Sequence, residues 1–350
     1  MKKKWLWGTL FVLAGIGIFA AKIFSDAGEF RAIEPHCDCE CENIPGIRGA
    51  EDVTVDAQTG TAFISADDRY AALNGPVPRG AVYAANLNAR ALRPREISAG
   101  FDGDFHPHGI GLFREPGGAL LLFVVNHRAD GPFVEIFEYR AGALIHRESV
   151  GNPLMHSPND VLPVGPRKFY ASNDHGARSA FGRTVEEFLQ RAASYIVYFD
   201  GTRMTVAAQG LAHANGIAMS RDGKTVYAAA SVGRRIEVYR RDEASGALSL
   251  VDSIGLTTGP DNIELDETGA LWIAAHPRLI TFLRHANNPG VFSPSQVLRI
   301  EYAAGKGAAV SEVYMDDGKG ISAASVAAPF GNRFIMGCVF DDHLLVCTRK

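Results

Sequence analysis

Apolar and polar residues alternate with period two over many short stretches of this chain, the pattern of half-buried strands rather than of helices. Six segments share one form: a polar start, an alternating strand, a turn and a second strand. Residues 51–56 lead through Gly60 to 61–65, and 108–113 lead through Gly117-Gly118 to 120–125. Residues 159–164 lead through Gly165 to 168–172, and 215–220 lead through Asp222-Gly223, a strong hairpin signal, to 225–229. Residues 261–266 lead through Gly269 to 271–275, and 325–328 lead through Gly331-Asn332 to 333–337. Further strands follow at 133–139, 195–199, 235–239 and 297–302. The starts lie near 52, 109, 160, 215, 262 and 325, giving intervals of 57, 51, 55, 47 and 63 residues. Intervals of that size, with about four strands in each, predict an all-β, six-bladed β-propeller. One helical pattern interrupts the third unit at 184–194, with Val185, Phe188 and Leu189 on one face. It is expected over one end of the channel, either as packing or as a pocket wall.

The N-terminus follows another pattern. Lys2, Lys3 and Lys4 precede 17 residues, 5–21, whose only polar side chain is Thr9. Continued through Lys22, Ile23 and Phe24, this makes a helix about 30 Å long, enough to cross a bilayer with the basic end cytoplasmic. Ser25-Asp26-Ala27 offers a small-x-small cleavage site as the rival reading. Residues 1–27 are therefore read as a signal anchor or signal peptide and 28–350 as the propeller, exported in either case: membrane-anchored by one span, or secreted. A mean hydropathy of −0.01 excludes a polytopic membrane protein.

Charge narrows the partners. Residues 1–24 carry four lysines and no acid, so the net −4 of the chain leaves −8 on the remainder. That body is a poor match for nucleic acid, which needs clustered Lys and Arg. It suits a protein that holds cations. Cys37, Cys39 and Cys41 sit just after the anchor; Cys338 and Cys347 lie at the far end. In an oxidising compartment a disulfide between the two ends is plausible. The C-x-C-x-C spacing is not that of common zinc sites. Cys338, within an apolar run, reads as a buried strand thiol.

The first polar residues of the units repeat in kind: Glu51-Asp52, His108, Asn159-Asp160, Asn215 and Asp261-Asn262. In radial blades, equivalent positions point at one axis. Carboxylates and carboxamides converging there form an oxygen cage, which suits Ca²⁺ far better than zinc. His108, His127 and His175 fall close to the same phase. A neutral imidazole beside such a metal can deprotonate water.

These residues resemble those of the paraoxonase/arylesterase family of calcium-dependent lactonases. The matching segments are Glu51-Asp52, Pro107-His108-Gly109-Ile110, Val125-Asn126-His127, Asn159-Asp160, Asn173-Asp174-His175, Ala214-Asn215-Gly216-Ile217 and Asp261-Asn262-Ile263, in order across about residues 41–347. The resemblance implies a six-bladed propeller with two Ca²⁺ per chain. It assigns Glu51, Asn159, Asn215, Asp261 and Asn262 to a catalytic calcium, and Asp52, Asp160 and the carbonyl of Ile110 to a structural one. It makes His108 the general base and His127 its proton-shuttling partner, with Asp261 a rival base or nucleophile. It joins Cys41 to Cys347. The activity implied is hydrolysis of lactones and aryl esters, with phosphotriesters as side substrates.

Some features depart from the family. Cys37 and Cys39 have no counterpart, Ala275 stands where the family has a free cysteine before His276, and 184–194 matches poorly. Substrate preference therefore does not carry over. Two alternatives remain: a gluconolactonase-like sugar lactonase with one divalent metal, and a non-catalytic propeller that acts as an interaction protein.

Overall fold

In the computed structural model, which describes residues 2–73 and 75–350, six antiparallel sheets follow one another along the chain. Their innermost strands are Ala50–Asp56, Pro107–Arg114, Pro158–Gly165, Ala214–Met219, Gly259–Leu265 and Ala324–Phe330. Each of these touches the innermost strand of the next blade, and the last touches the first, so the blades close into a ring around a central axis. The six-bladed propeller is thus borne out. Alternation explains it: one face of each blade packs on the preceding blade and the other on the following one.

The core is accordingly divided into six interfaces rather than gathered into one centre. Phe63 and Phe137 lie between blades one and two, and Phe123 and Phe169 between two and three. Tyr170 and Val226 lie between three and four, and Ile236 and Ile273 between four and five. Trp272 meets Phe334 between five and six, and Ile335 meets Val53 where the ring closes.

Closure is made by the N-terminal side of the body. Strand Cys39–Pro45 pairs with His343–Arg349 and completes blade six, with Cys41 directly opposite Cys347. The two are joined by a disulfide that spans 306 residues of sequence. Cys37 and Cys39 form a second disulfide, so the residues without a family counterpart are paired with each other. His36–Cys37 adds a fifth strand to blade five. Cys338 is a buried free thiol, as its apolar surroundings suggested.

The interrupting helix needs correction. It runs Ala180–Phe188, not 184–194. Ser179 caps it by accepting a hydrogen bond from the Gly182 amide at 3.1 Å. Gln190, at φ +50°, turns the chain out of the helix, and Ser194 already begins the strand Ser194–Phe199. The sequence pattern followed apolar residues and missed this polar start. None of the helix side chains is buried, which decides between packing and pocket wall: Glu187 and Phe188 line a cavity. A second helix, Leu279–Asn287, and a 3₁₀ turn, Arg69–Leu73, were not anticipated.

Helix Lys2–Asp26 contains a 20-residue apolar stretch, Trp7–Asp26, long enough to cross a membrane. Most of its described large apolar side chains are exposed; Phe11, for instance, is 82% accessible.

The closing bond should dominate global stability. By chain entropy, a loop of this length is worth about 6 kcal/mol. Replacing Cys41 and Cys347 together by Ala should lower the unfolding free energy by several kcal/mol in urea titrations. An unchanged midpoint would mean that strand pairing alone holds the ring.

Candidate active site and metal centre

Every innermost strand breaks its ladder at the same place. The register shifts between Ala50 and Asp52, Pro107 and Ile110, Pro158 and Val161, Ala214 and Ile217, Pro260 and Ile263, and Ala324 and Val326. Such irregularities re-aim side chains and release backbone groups. They fall on the polar starts found in the sequence. Two glycines keep the strands close enough: a Cβ at Gly109 would lie 2.4 Å from the Asp160 Cα, and one at Gly216 would lie 2.6 Å from the Asn262 Cα.

Glu51, His108, Asn159, Asn215 and Asp261 line one cavity of about 270 Å³. Asn262 reaches the same group, since its Nδ2 donates to Glu51 Oε1 at 3.0 Å. Ser325, the equivalent residue of blade six, donates its Oγ to the Glu51 carbonyl at 2.5 Å and steadies that strand. Glu51 Oε2, Asn159 Oδ1, Asn215 Oδ1 and Asn262 Oδ1 are all buried without a hydrogen-bond donor. A buried acceptor left unsatisfied costs about 1–3 kcal/mol. Four together, beside the carboxylate of Asp261, are a donor set that fits a hard divalent cation. Asp261 is oriented from behind: its Oδ2 lies 2.8 Å from His276 Nε2, and the His276 ring stacks on Phe282.

Asp52 and Asp160 line a second cavity of about 240 Å³ together with Ile110, Ile217 and Glu264. The two aspartates use one device twice. Asp52 accepts from its neighbour's amide, Val53, at 2.8 Å and across the blade gap from the Ile110 amide at 2.7 Å. Asp160 accepts likewise from Val161 at 2.7 Å and Ile217 at 2.8 Å. Ile110 therefore contributes its N–H to Asp52. Burial, and then the neighbouring Asp160 charge, push the Asp52 carboxyl well above the usual range. Burial does the same to Asp160, against the pull of its two amide donors. Burial also lifts Glu264 to about 8. Three acids in one channel call for a cation as countercharge.

His108 stands between the cage and a second imidazole. Its Nδ1 is 2.9 Å from His127 Nε2, and its Nε2 is 3.5 Å from Glu51 Oε2. Protein crowding around the ring, and the neighbouring His108, hold the His127 imidazole below the usual histidine range, although one edge faces solvent. Burial raises the Glu51 carboxyl, but His108 when protonated, the Arg69 guanidinium and the Asn262 amide outweigh it and hold it below the usual carboxylate range.

The rest of the cavity wall was largely missed in the sequence. Arg69 spans two blades, donating to the carbonyls of Gly49 and Pro107 at 3.4 Å each. Asp174, Glu187 and His213 form one side, and Leu279, Ile280 and Phe282 another. Ile23 and Ala27, at the end of the N-terminal helix, complete it. Glu29 fastens helix Leu279–Asn287 by accepting from the amides of Ile280 and Thr281, each at 2.9 Å.

Removal of bound cations should leave buried carboxylates facing one another. Exhaustive EGTA treatment should lower the melting temperature by several degrees. It should also be accompanied by proton uptake, because the vacated carboxyls titrate above their ordinary range. A scan with unchanged melting, and no proton taken up in weakly buffered solution, would dismiss the cation cage.

Comparison with known proteins finds relatives over nearly the whole body. The family model described as arylesterase matches residues 32–348. Human serum paraoxonase/arylesterase 1 is 32% identical over 327 residues, covering 90% of each chain. Human serum paraoxonase/lactonase 3 is 31% identical over 323 residues, again covering 90% of each. Among solved structures, a luciferin-regenerating enzyme shares the fold, with a TM-score of 0.56 at 14% identity over 89% of this chain and 95% of that one. By the extent of the family match and the unbroken coverage of its relatives, the chain belongs to the arylesterase family.

Proposed function

We propose that this protein is a calcium-dependent hydrolase of lactones and aryl esters. The observation that carries the reading is the set of four unpartnered buried oxygens on Glu51, Asn159, Asn215 and Asn262, with the His108–His127 pair beside it. With Asp261 they would hold the catalytic Ca²⁺. Asp52, Asp160 and the Ile110 carbonyl would hold a second, structural Ca²⁺. Relatives named as paraoxonase/arylesterase and paraoxonase/lactonase support the substrate class. The second acidic cradle favours two ions over the single ion of a gluconolactonase-like enzyme.

When bound, calcium supplies a Lewis acid that polarises the ester carbonyl oxygen. The protein supplies the rest. His108, with Nδ1–H donating to His127, presents the lone pair of Nε2 to a water in the cavity and takes its proton. His127, held below the usual histidine range, is neutral at pH 7 and so accepts from His108. Asp261 is less suited to act as base, because one of its oxygens is engaged with His276. Leu279, Ile280, Phe282 and Phe188 give the cavity an apolar side for the acyl or aryl group. The same polarisation at a phosphoryl oxygen would admit phosphotriesters as side substrates. Residues 1–27 serve as an export signal or single-span anchor, in keeping with an apolar helix and two disulfides.

His108→Gln should reduce hydrolysis of aliphatic lactones and of phenyl acetate by about tenfold or more, with an unaltered melting temperature. Full activity in that variant would remove His108 from the proton path.

A further inference from the structure

We propose that His175, Glu187 and His213 form a further metal site, for a borderline transition-metal ion such as Zn²⁺, in the wall of the substrate cavity. Each offers one ligand atom, and the three atoms lie within 4.8 Å of one another. His175 Nε2 is 3.1 Å from Glu187 Oε1, and His213 Nδ1 is 3.9 Å from the same oxygen. The two imidazoles meet edge to face, with ring centroids 5.1 Å apart. Side-chain rotation would be needed to centre an ion among the three at zinc–ligand distances.

Two features point to a ligand rather than to a simple ion pair. His213 Nδ1 is buried and has no hydrogen-bond partner. A lone salt bridge between His175 and Glu187 leaves that nitrogen unexplained. His213 also holds a left-handed backbone, φ +62°, in the short link between strands Met204–Leu211 and Ala214–Met219. That conformation is uncommon for a residue other than glycine and marks a constrained position. On the other side, His175 Nδ1 lies 2.7 Å from Asp174 Oδ1, and Asp174 is itself held by the Ser157 hydroxyl. A carboxylate behind an imidazole is the arrangement that orients the far nitrogen toward a metal and raises its basicity.

The chemistry separates this site from the calcium cage. Two nitrogens and one carboxylate favour Zn²⁺, whereas the cage is all oxygen. Three protein ligands leave a fourth position open, and Glu187 and His213 both line the cavity, so that position faces the substrate space. The ion would also tie helix Ala180–Phe188, which has no buried side chain, to blades three and four.

The test uses the full-length, untagged protein saturated with Ca²⁺ so that the oxygen sites are filled. Zn²⁺ binding by equilibrium dialysis should give one ion per chain, and Co²⁺ should give the visible bands of a low-coordinate nitrogen–oxygen site. His213→Phe should abolish those bands and weaken Zn²⁺ by well over tenfold, and Asp174→Asn should weaken it by about tenfold. Circular dichroism checks each variant; if His213→Phe does not fold, Glu187→Gln takes its place. The proposal is overturned if the Ca²⁺-saturated protein binds no Zn²⁺. It is also overturned if folded His213→Phe or Glu187→Gln binds Zn²⁺ as the parent does, which would leave an imidazolium held between two carboxylates.

Discussion

The molecule is organised by a group of acidic and amide oxygens that converge on one axis with too few donors to satisfy them. Propeller closure forces this convergence, because the innermost strands are the nearest neighbours across the ring. Each breaks its ladder at the point where Glu51, Asn159, Asn215 or Asp261 must turn inward. Isolated in a channel, such oxygens oppose folding; gathered around the proposed cation, they would tie four blades together. With that cation bound, site and ring would depend on each other. The six blade-to-blade cores hold the walls apart, the proposed cage would hold the centre, and the Cys41–Cys347 bond closes the circumference.

The same arrangement explains how one channel separates its two cavities. Adjacent residues on a bulged strand serve different levels of the channel. Glu51 and Asn159 face the outer cavity with His108, while Asp52 and Asp160 face the inner one and take amide hydrogens from the next blade. The outer level leaves its acceptors without donors, and the inner level also accepts backbone amides on its carboxylates. Substrate-facing variety is left to segments outside the blades, the helices Ala180–Phe188 and Leu279–Asn287.

Much of this was legible in the sequence because it depends on period and phase. Alternation, turn glycines and a recurring polar start located six blades and brought Glu51, His108, Asn159, Asn215 and Asp261 to one place. Where the determinants are not periodic, the reading failed. Helix Ala180–Phe188 begins with a polar cap and exposes Phe181, so the apolar stripe misplaced it toward 194. His213 carries no pattern at all; its proposed role depends on a backbone angle and on residues about 25 and 40 positions away. His276 was noticed only as a neighbour of Ala275, although it orients Asp261. Contacts between a blade and a distant loop leave no trace in spacing.

Glu29 lies two residues beyond Ala27, the last residue of the expected cleavage site, yet it anchors the start of helix Leu279–Asn287. A processed chain would keep this clamp and lose Ile23 and Ala27 from the cavity rim. Tethered and released forms would then share one catalytic floor but differ in the width of the doorway above it, so that proteolytic maturation would act as a selectivity filter on the size of the molecules admitted.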